Sequence, residues 1–170
     1  SVVGPDLVDE HGEKFQLVGI STHGLQWFAQ YVNFDTLDAL HNEFGINVIR
    51  LALCTAEGGY CEANPERKEY MYQKVVEGVK IAAELDMYAI VDWHMVGAED
   101  PRDKNPLFYK DEAIAFFSRI SEELKDYNQI KWHFIGTLQT NKVKKMINKI
   151  SYLHSLNSIK LASFIEKYRT

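Results

Sequence analysis

Short apolar runs and amphipathic helical segments alternate along the whole of this 170-residue chain. The runs have the near-continuous apolar character of strands that are covered on both faces. Each is followed by apolar residues at helical spacing. The predicted strands are residues 18–20, 47–53, 88–94, 130–136 and 152–156. Five strand–helix units in strict alternation predict an α/β fold with a parallel sheet and right-handed crossovers.

Local signals set the expected ends of the helices. Asn33 is predicted to cap the first helix, which Gly45 ends, and Asn64 caps the second. The expected caps of later helices are Asp111, and either Asn157 or Ser158. A β-hairpin is expected over residues 7–17, with its turn at Gly12. The expected buried faces are Leu37, Leu40 and Phe44; Val75, Val79 and Ala82; Ile114, Phe117, Ile120 and Leu124; Val143, Met146, Ile147 and Ile150; and Leu161, Ala162 and Ile165.

The number of strand–helix units limits the architecture. An ordinary eight-stranded α/β barrel needs about 250 residues, and five units cannot close one. We therefore expect a single α/β domain over residues 1–170, either a partial TIM barrel (a half-barrel) or an open flavodoxin-like sheet. The open five-stranded sheet is favoured. Its unpaired edge strands leave a homo-oligomer through the sheet edges as an option.

The charge is divided unevenly between the two parts of the chain. Residues 129–170 carry eight Lys and Arg side chains against Glu166, whereas the whole chain has a net charge of −5. Because these cations fall on predicted solvated helix faces, nucleic-acid binding is not expected.

No apolar run reaches the roughly 20 residues of a membrane span, and no leader-like segment is visible. The sequence therefore does not assign the protein to a cellular compartment. Cys54 and Cys61 are either paired or free thiols.

Polar and aromatic side chains collect at the ends of the first three predicted strands. In parallel α/β folds the carboxyl ends of the strands lie at one edge, where function is concentrated. Aromatic rings beside arginine and histidine suit a carbohydrate, because apolar sugar faces stack on rings and hydroxyls need fixed polar partners. The residues at these ends are His23, Trp27, Arg50, Glu57, Tyr60, Asp92, Trp93 and His94.

Four of these stretches together resemble the endo-β-1,4-glucanases (cellulases) of glycoside hydrolase family 5. They are GISTHGLQW at 19–27, NVIRLA at 47–52, TAEGGY at 55–60 and VDWH at 91–94. The resemblance covers residues 1–128 and implies a retaining (β/α)8 barrel that acts on β-glucans. It also implies a vestigial substrate-binding set of His23, Trp27, Arg50, Tyr60, Trp93 and His94.

The catalytic pair of that family is not found in this sequence. Its acid/base Glu lies in an Asn-Glu-Pro after strand four and its nucleophile Glu after strand seven, and retaining cleavage needs both, about 5–5.5 Å apart. Here the fourth predicted strand ends in Phe134-Ile135-Gly136. We therefore expect no catalytic residue and no activity. The alternative is weak β-glucan hydrolysis by a substitute carboxylate, Asp92 or Glu57, or by an oligomeric site.

The last part resembles a different family. IKWHFIG at 130–136, LQTNK at 138–142 and LHSL at 153–156 are similar to pyridoxal-phosphate homeostasis proteins, whose fold is the alanine racemase N-terminal barrel. The resemblance covers residues 129–170 and predicts a recombinant chimera of two barrel fragments.

The cofactor-binding regions of that family have no counterpart in this chain, so no cofactor is expected, and a pyridoxal-phosphate-binding module is a second alternative. His133 and His154 are interpreted as packing residues and Lys142 as a surface charge. A metal site at His23, Asp92 and His94 is not expected.

Overall fold

The structure is a computed structural model that describes residues 2–9, 11–95, 105, 107–127, 133–134, 138–148, 152–153 and 156–169. Its strands are β1 (Val2–Val3), β2 (Asp6–Leu7), β3 (Gly19–Ser21), β4 (Val48–Cys54), β5 (Tyr88–His94), β6 (His133–Phe134) and β7 (Tyr152–Leu153). Its α-helices are α1 (Leu25–Phe28), α2 (Phe34–Phe44), α3 (Pro65–Glu84), α4 (Lys110–Glu123), α5 (Val143–Met146) and α6 (Ile159–Tyr168). Short 3-10 helices cover Ala29–Tyr31 and Thr140–Lys142. The chain divides into two compact units, Ser1–Glu123 and Leu124–Thr170.

The N-terminal hairpin forms around the expected turn but is less regular than predicted. Gly12 has φ 82°, and the Phe15 amide donates to the Leu7 carbonyl at 2.8 Å. Val8 and Lys14 form an isolated antiparallel bridge. Strand β2 pairs with β1 instead of extending this ladder.

A parallel three-stranded sheet, in the order β3-β4-β5, organises the first unit. The predicted α/β class with parallel strands is confirmed. In a flavodoxin-like order the first strand lies between the second and third, whereas here the second is central, as in a barrel. The described strands do not form the single five-stranded sheet that we favoured: β6 and β7 pair with each other in parallel as a separate sheet. The fold fits a partial barrel.

Two of the predicted caps in the first unit are confirmed and one is wrong. The Asn33 Oδ1 accepts from the Thr36 amide at 2.9 Å, and α2 ends at Gly45, which has φ 67°. Asn64 caps α3 through the Arg67 amide, also at 2.9 Å. Helix α4 begins at Lys110, so Asp111 lies inside its first turn and does not cap it. Its carboxylate still faces the positive end of the helix dipole.

Helix α3 packs over β4 and β5 and supplies much of the core. Its predicted stripe of Val75, Val79 and Ala82 is buried, as is Leu51 of β4. The helix approaches the strand closely at Gly78, where an added Cβ would lie 2.8 Å from the Leu51 Cδ2. The central strand is thus held against the helix layer with little spare volume.

The buried face of α4 differs from the prediction. Of the four predicted residues, Ile120 and Leu124 are buried as expected, whereas Ile114 and Phe117 are 54% and 37% exposed. Phe116, which was not predicted, is buried. Phe116 faces inward because it packs against other rings of the first unit, Tyr72 among them at 5.8 Å between centroids. A similar correction applies to α2, where Phe44 is exposed although Leu37 is buried.

The second unit has a small core of its own. Ser158, and not Asn157, caps α6, since its Oγ accepts from the Leu161 amide at 3.2 Å. The helix that was expected to bury Val143, Met146, Ile147 and Ile150 is observed as a 3-10 turn followed by the short α5, and Ile150 lies outside the described residues. The core consists of Leu138, Val143, Ile147 and Leu161. Within the described ranges, no helix has the length and apolar character needed to cross a membrane.

An ion pair joins α3 to α4 and leads to a pH prediction. Arg119 Nη1 and Nη2 contact the two Glu69 oxygens at 2.6 and 2.7 Å, and this guanidinium lowers the pKa of Glu69 from 4.5 to about 2. Both side chains are about half exposed, so solvent limits the gain to about 1 kcal/mol. Because the folded-state pKa is depressed, the gain is complete above about pH 4.5 and is lost as the pH falls towards 2.

We therefore expect Glu69→Gln to lower the free energy of unfolding by up to about 1 kcal/mol at pH 7, and by progressively less below pH 4.5. Urea titrations of both proteins across this pH range measure the difference. Glu84→Gln, at the exposed far end of the same helix, is the control and should change little. A Glu69→Gln deficit that does not shrink with acidification would contradict the assignment.

Candidate functional site

A cluster of polar side chains lies at the carboxyl ends of β3, β4 and β5. Strand pairing aligns Ser21 with Arg50 and places Asp92 and His94 beside Ala52 and Cys54 of β4. Alternate residues of a strand face the same side, so Arg50, Asp92 and His94 share one face of the sheet. The structure thus brings Arg50, Asp92 and His94 together, and a substrate-binding role for Arg50 and His94 stays a prediction.

Arg50 holds this polar cluster together. Its Nη1 donates to the Ser21 Oγ at 2.9 Å, and its Nη2 donates to the Asp92 Oδ2 at 2.5 Å. The His94 Nδ1 lies 3.1 Å from the same Nη2 and 3.2 Å from the Asp92 Oδ2. With a proton on Nδ1, the ring donates to Asp92 and presents Nε2 as an acceptor. Arg50, Asp92 and His94 are half-buried and Ser21 is exposed, so these polar groups are fixed by their mutual contacts yet open to a ligand.

His23 borders this polar cluster in a strained conformation. Its φ of 63° is in the left-handed region, which a side chain other than glycine adopts at a cost that surrounding structure must offset. The His23 amide donates to the Ser21 Oγ at 3.3 Å. The His23 ring lies 5.6 Å from that of Trp27 and 5.9 Å from that of Phe28, measured between centroids. The backbone of His23 therefore contacts the polar cluster, while its imidazole contacts the aromatic side chains of Trp27 and Phe28.

Tyr60 and Trp93 lie away from the polar cluster. Trp93 alternates with Asp92 and His94 along β5, so it points to the opposite face of the strand. Its ring centroid lies 5.6 Å from that of Phe116 and 5.7 Å from that of Tyr60. These contacts give both residues a packing role beneath α4, and a role in substrate binding stays a prediction for them.

Three residues of the site region were not singled out in the sequence. Ser21 and Gln26 fall within the 19–27 motif, which was the signal for them, but nothing distinguished Cys54. Gln26 is buried beside the Cys54 thiol, yet its amide nitrogen and oxygen meet no hydrogen-bond partner in the part of the chain that the structure describes.

Burial raises the pKa of the Cys54 thiol and raises that of Cys61 to about 12. Both cysteines are free thiols.

The remaining candidates do not join the polar cluster as far as the structure describes them. Glu57 is exposed in the loop after β4, with φ 56°, and Lys142 is exposed at the end of the 3-10 turn. His133 lies on β6, but its side chain and the whole of His154 fall outside the described residues. Among the described residues, no three His, Cys, Asp or Glu side chains are grouped so that they could hold a metal ion.

Comparison with known proteins gives consistent matches. The model of the family "Cellulase (glycosyl hydrolase family 5)" matches residues 8–135. An endoglucanase of Clostridium saccharobutylicum is 38% identical over 154 residues, which cover 88% of this chain and 32% of that protein. Endoglucanase A of Butyrivibrio fibrisolvens is 35% identical over 155 residues, covering 88% and 35%.

Solved structures show the same likeness. The catalytic domain of Thermobifida fusca endoglucanase Cel5A superposes with a TM-score of 0.60 at 27% identity, covering 98% of this chain and 49% of that one. The alkaline cellulase K catalytic domain gives a TM-score of 0.60 at 32% identity, covering 98% and 46%. The chain thus spans about a third of the length of these curated relatives and about half of the solved domains.

These matches bear on the predicted junction near residue 128. The family match continues to residue 135. Alignments that cover 88% of 170 residues must also extend past residue 128. The similarity to endoglucanases therefore continues on both sides of residue 128 of this chain. These matches give no support to a chimera or to a pyridoxal-phosphate-protein segment.

Proposed function

The chain belongs to the cellulase family, glycosyl hydrolase family 5, and from this premise we propose that the carboxyl edge of its three-stranded sheet binds a β-1,4-glucan chain. The observation that carries the proposal is the polar cluster of half-buried Arg50, Asp92 and His94 with exposed Ser21, bordered by His23 and the exposed ring of Trp27.

The chemistry of the polar cluster suits sugar hydroxyls. A hydroxyl both donates and accepts, and the cluster offers a guanidinium donor, carboxylate acceptors and an imidazole within one group. Because Arg50 contacts residues on two neighbouring strands, these groups are held in place before a ligand arrives, which reduces the ordering cost of binding. The apolar face of a glucose ring would stack on Trp27, as sugars do on aromatic side chains.

We further propose that residues 1–170 bind glucan without cleaving it. The fourth predicted strand ends in Phe134-Ile135-Gly136, without the glutamate that the family uses as its acid. Asp92 is the carboxylate within the polar cluster, and its Oδ2 is engaged by Arg50 and His94. A carboxylate engaged in this way orients its neighbours and is poorly placed to transfer a proton to a leaving oxygen.

Weak hydrolysis is a second candidate, favoured by one observation: Asp92 is a carboxylate inside the polar cluster. Under that proposal Asp92→Asn would abolish turnover.

Several earlier predictions remain proposals: the single domain over residues 1–170, the chimeric origin of residues 129–170 and association through the sheet edges. The pyridoxal-phosphate module is also still a proposal, and an absence of the Schiff-base absorbance band after addition of cofactor would eliminate it.

The proposal predicts that Arg50→Ala weakens the binding of cellotetraose by tenfold or more, since a hydrogen bond to a charged group contributes about 1.5–3 kcal/mol. Isothermal titration calorimetry measures this affinity, and circular dichroism verifies the fold of the variant. Arg169→Ala, a surface arginine of the other unit, is the control and should bind as the wild type does.

Two outcomes would overturn parts of this proposal. Wild-type protein that does not bind cellotetraose, or binds it equally after Arg50→Ala, would remove the sugar site. If the wild type releases reducing ends from soluble β-glucan and Asp92→Asn does not, the proposal of binding without cleavage is wrong and the protein is a weak hydrolase.

A further inference from the structure

Exposed cations are concentrated in residues 138–148 and 156–169 of the second unit. These two stretches carry one acidic side chain, Glu166. Their cations, all exposed, are Lys142, Lys144, Lys145, Lys160, Lys167 and Arg169. Among the residues that the structure describes, none of the six forms an ion pair. The second unit therefore presents positive charge that its described neighbours do not neutralise.

A hydrogen bond brings four of these cations to one place. The Asn148 Nδ2 donates to the Tyr168 carbonyl oxygen at 3.1 Å, which joins the turn after α5 to the end of α6. Lys144 and Lys145 precede Asn148 by four and three positions, so they lie on the same side of that turn. The two residues that flank Tyr168 in the sequence are also cations. These four side chains, which we name the basic surface, are Lys144, Lys145, Lys167 and Arg169.

The free protein holds the basic surface together against electrostatic repulsion. Like charges that are neighbours on a helical surface destabilise it, and a concentration of one sign of charge attracts counter-ions. Helices α5 and α6 cannot simply separate, because Val143 and Leu161 are buried in the same small core. A ligand with several negative charges would relieve this repulsion without moving the helices.

We propose that the basic surface binds an acidic polysaccharide, a linear chain of sugars whose uronic acid units carry carboxylates. The inference goes beyond the proposed β-glucan site, with which the basic surface shares no residue. Charge complementarity requires a polymer with repeated negative charges. Because the chain belongs to a family of cellulases, a polysaccharide is the class of polymer that we assign to this surface.

The side chains of the basic surface favour sugar carboxylates over a nucleic acid. Three of the four are lysines, whose compact ammonium groups pair with a carboxylate from any direction, whereas arginine supplies the paired hydrogen bonds that read bases. Proteins that hold single strands add exposed aromatic rings. In the described part of the second unit, the large apolar side chains that are exposed are Leu156 and Ile159, and neither is aromatic.

The proposal makes affinity depend on salt and on the charge of the ligand. Dissolved ions screen exposed charges, and the screening length falls from about 10 Å at 0.1 M salt to about 3 Å at 1 M. Binding should therefore be measurable at about 0.1 M salt and lost towards 1 M. Esterification of the carboxylates leaves the sugar chain intact but removes its charge, so the esterified ligand should not bind.

The experiment titrates the whole chain with oligogalacturonate, and with its methyl-esterified form, by isothermal titration calorimetry at about 0.1 M salt. The triple variant Lys144→Gln/Lys145→Gln/Lys167→Gln is expected to bind oligogalacturonate about tenfold more weakly than the wild type, because three exposed charge pairs are lost. Substitution of the same three lysines by arginine keeps the charges and should keep the affinity. Circular dichroism verifies the fold of each variant.

A matched control removes the same number of charges from the first unit. Lys14→Gln/Lys80→Gln/Lys110→Gln changes three exposed lysines there and should bind oligogalacturonate as the wild type does. Equal losses in the two glutamine variants would mean that net charge alone governs binding, and the basic surface would be wrong.

The remaining outcomes separate this inference from the proposed function. The glutamine variant of the basic surface should bind cellotetraose as the wild type does, whether that binding is strong or absent. Wild-type protein that does not bind oligogalacturonate, or binds its esterified form equally well, would overturn the inference and leave the sugar site untouched. Tighter binding of duplex DNA or of anionic phospholipid vesicles than of oligogalacturonate at the same salt would also overturn it, because the surface would then serve another polyanion.

Discussion

Phe116→Ala should lower the free energy of unfolding by about 3–5 kcal/mol, the cost of emptying a ring-sized space in a packed core. Phe116 is 2% exposed, and the rings of Tyr60, Trp93 and Tyr72 lie 5.5, 5.6 and 5.8 Å from it between centroids. Its removal leaves these rings without a common partner, and the lost edge contacts add to the lost burial. Urea unfolding followed by near-ultraviolet circular dichroism measures the change.

The comparison residue for this variant lies two positions earlier on the same helix. Ile114 is 54% exposed, so Ile114→Ala should change the stability by about 0.5 kcal/mol or less. If Phe116→Ala is too unstable to study, Phe116→Leu keeps part of the volume and should still be the less stable of the two. Equal losses at the two positions would mean that α4 is rotated from the orientation described above.

Gly59→Ala should cost about 3 kcal/mol, at the upper end of the range for forcing extra atoms into a packed site. An added Cβ would lie 2.2 Å from the Cys54 carbonyl oxygen and 2.6 Å from that of Ala56. Both are backbone atoms that cannot rotate away, so the loop must open. Opening it would strain the hydrogen bond from the Tyr60 amide to the Cys54 carbonyl, now 2.7 Å long. Chemical denaturation measures the loss.

The neighbouring glycine is the matched control for that variant. Gly58 has φ 73°, and an added Cβ would meet no atom within 4 Å. Gly58→Ala should therefore cost only the strain of a left-handed alanine, about 1–2 kcal/mol. A loss at Gly58 as large as that at Gly59 would show that backbone conformation, and not the close approach to the Cys54 carbonyl, controls this loop.

Sequence reasoning was sufficient where the signal is local. Asn33, Asn64 and Ser158 cap their helices, because a side-chain oxygen needs only the backbone amide two or three residues ahead. The polar cluster was also predictable, since parallel strands bring Arg50, Asp92 and His94 to one edge once the strands are recognised.

Sequence reasoning failed where the outcome depends on contacts between distant segments. Phe116 and Phe117 are adjacent aromatic residues, and helical periodicity alone favoured the wrong one. Packing against Tyr72 of another helix determines which ring is buried. Trp93 is consecutive with Asp92 and His94 in the sequence, yet it points to the opposite face of β5, because adjacent residues of a strand face opposite sides.

Arg50 joins Ser21, Asp92 and His94, which are 29, 42 and 44 positions away along the chain. During folding, this guanidinium finds its partners only after both strand–helix–strand crossovers have closed. The chain entropy of those loops must be overcome before the contacts form. Capacity to bind a ligand at Arg50 is consequently acquired only after both crossovers have formed. Retention on an immobilised oligosaccharide would then select finished molecules from those whose crossovers are still open.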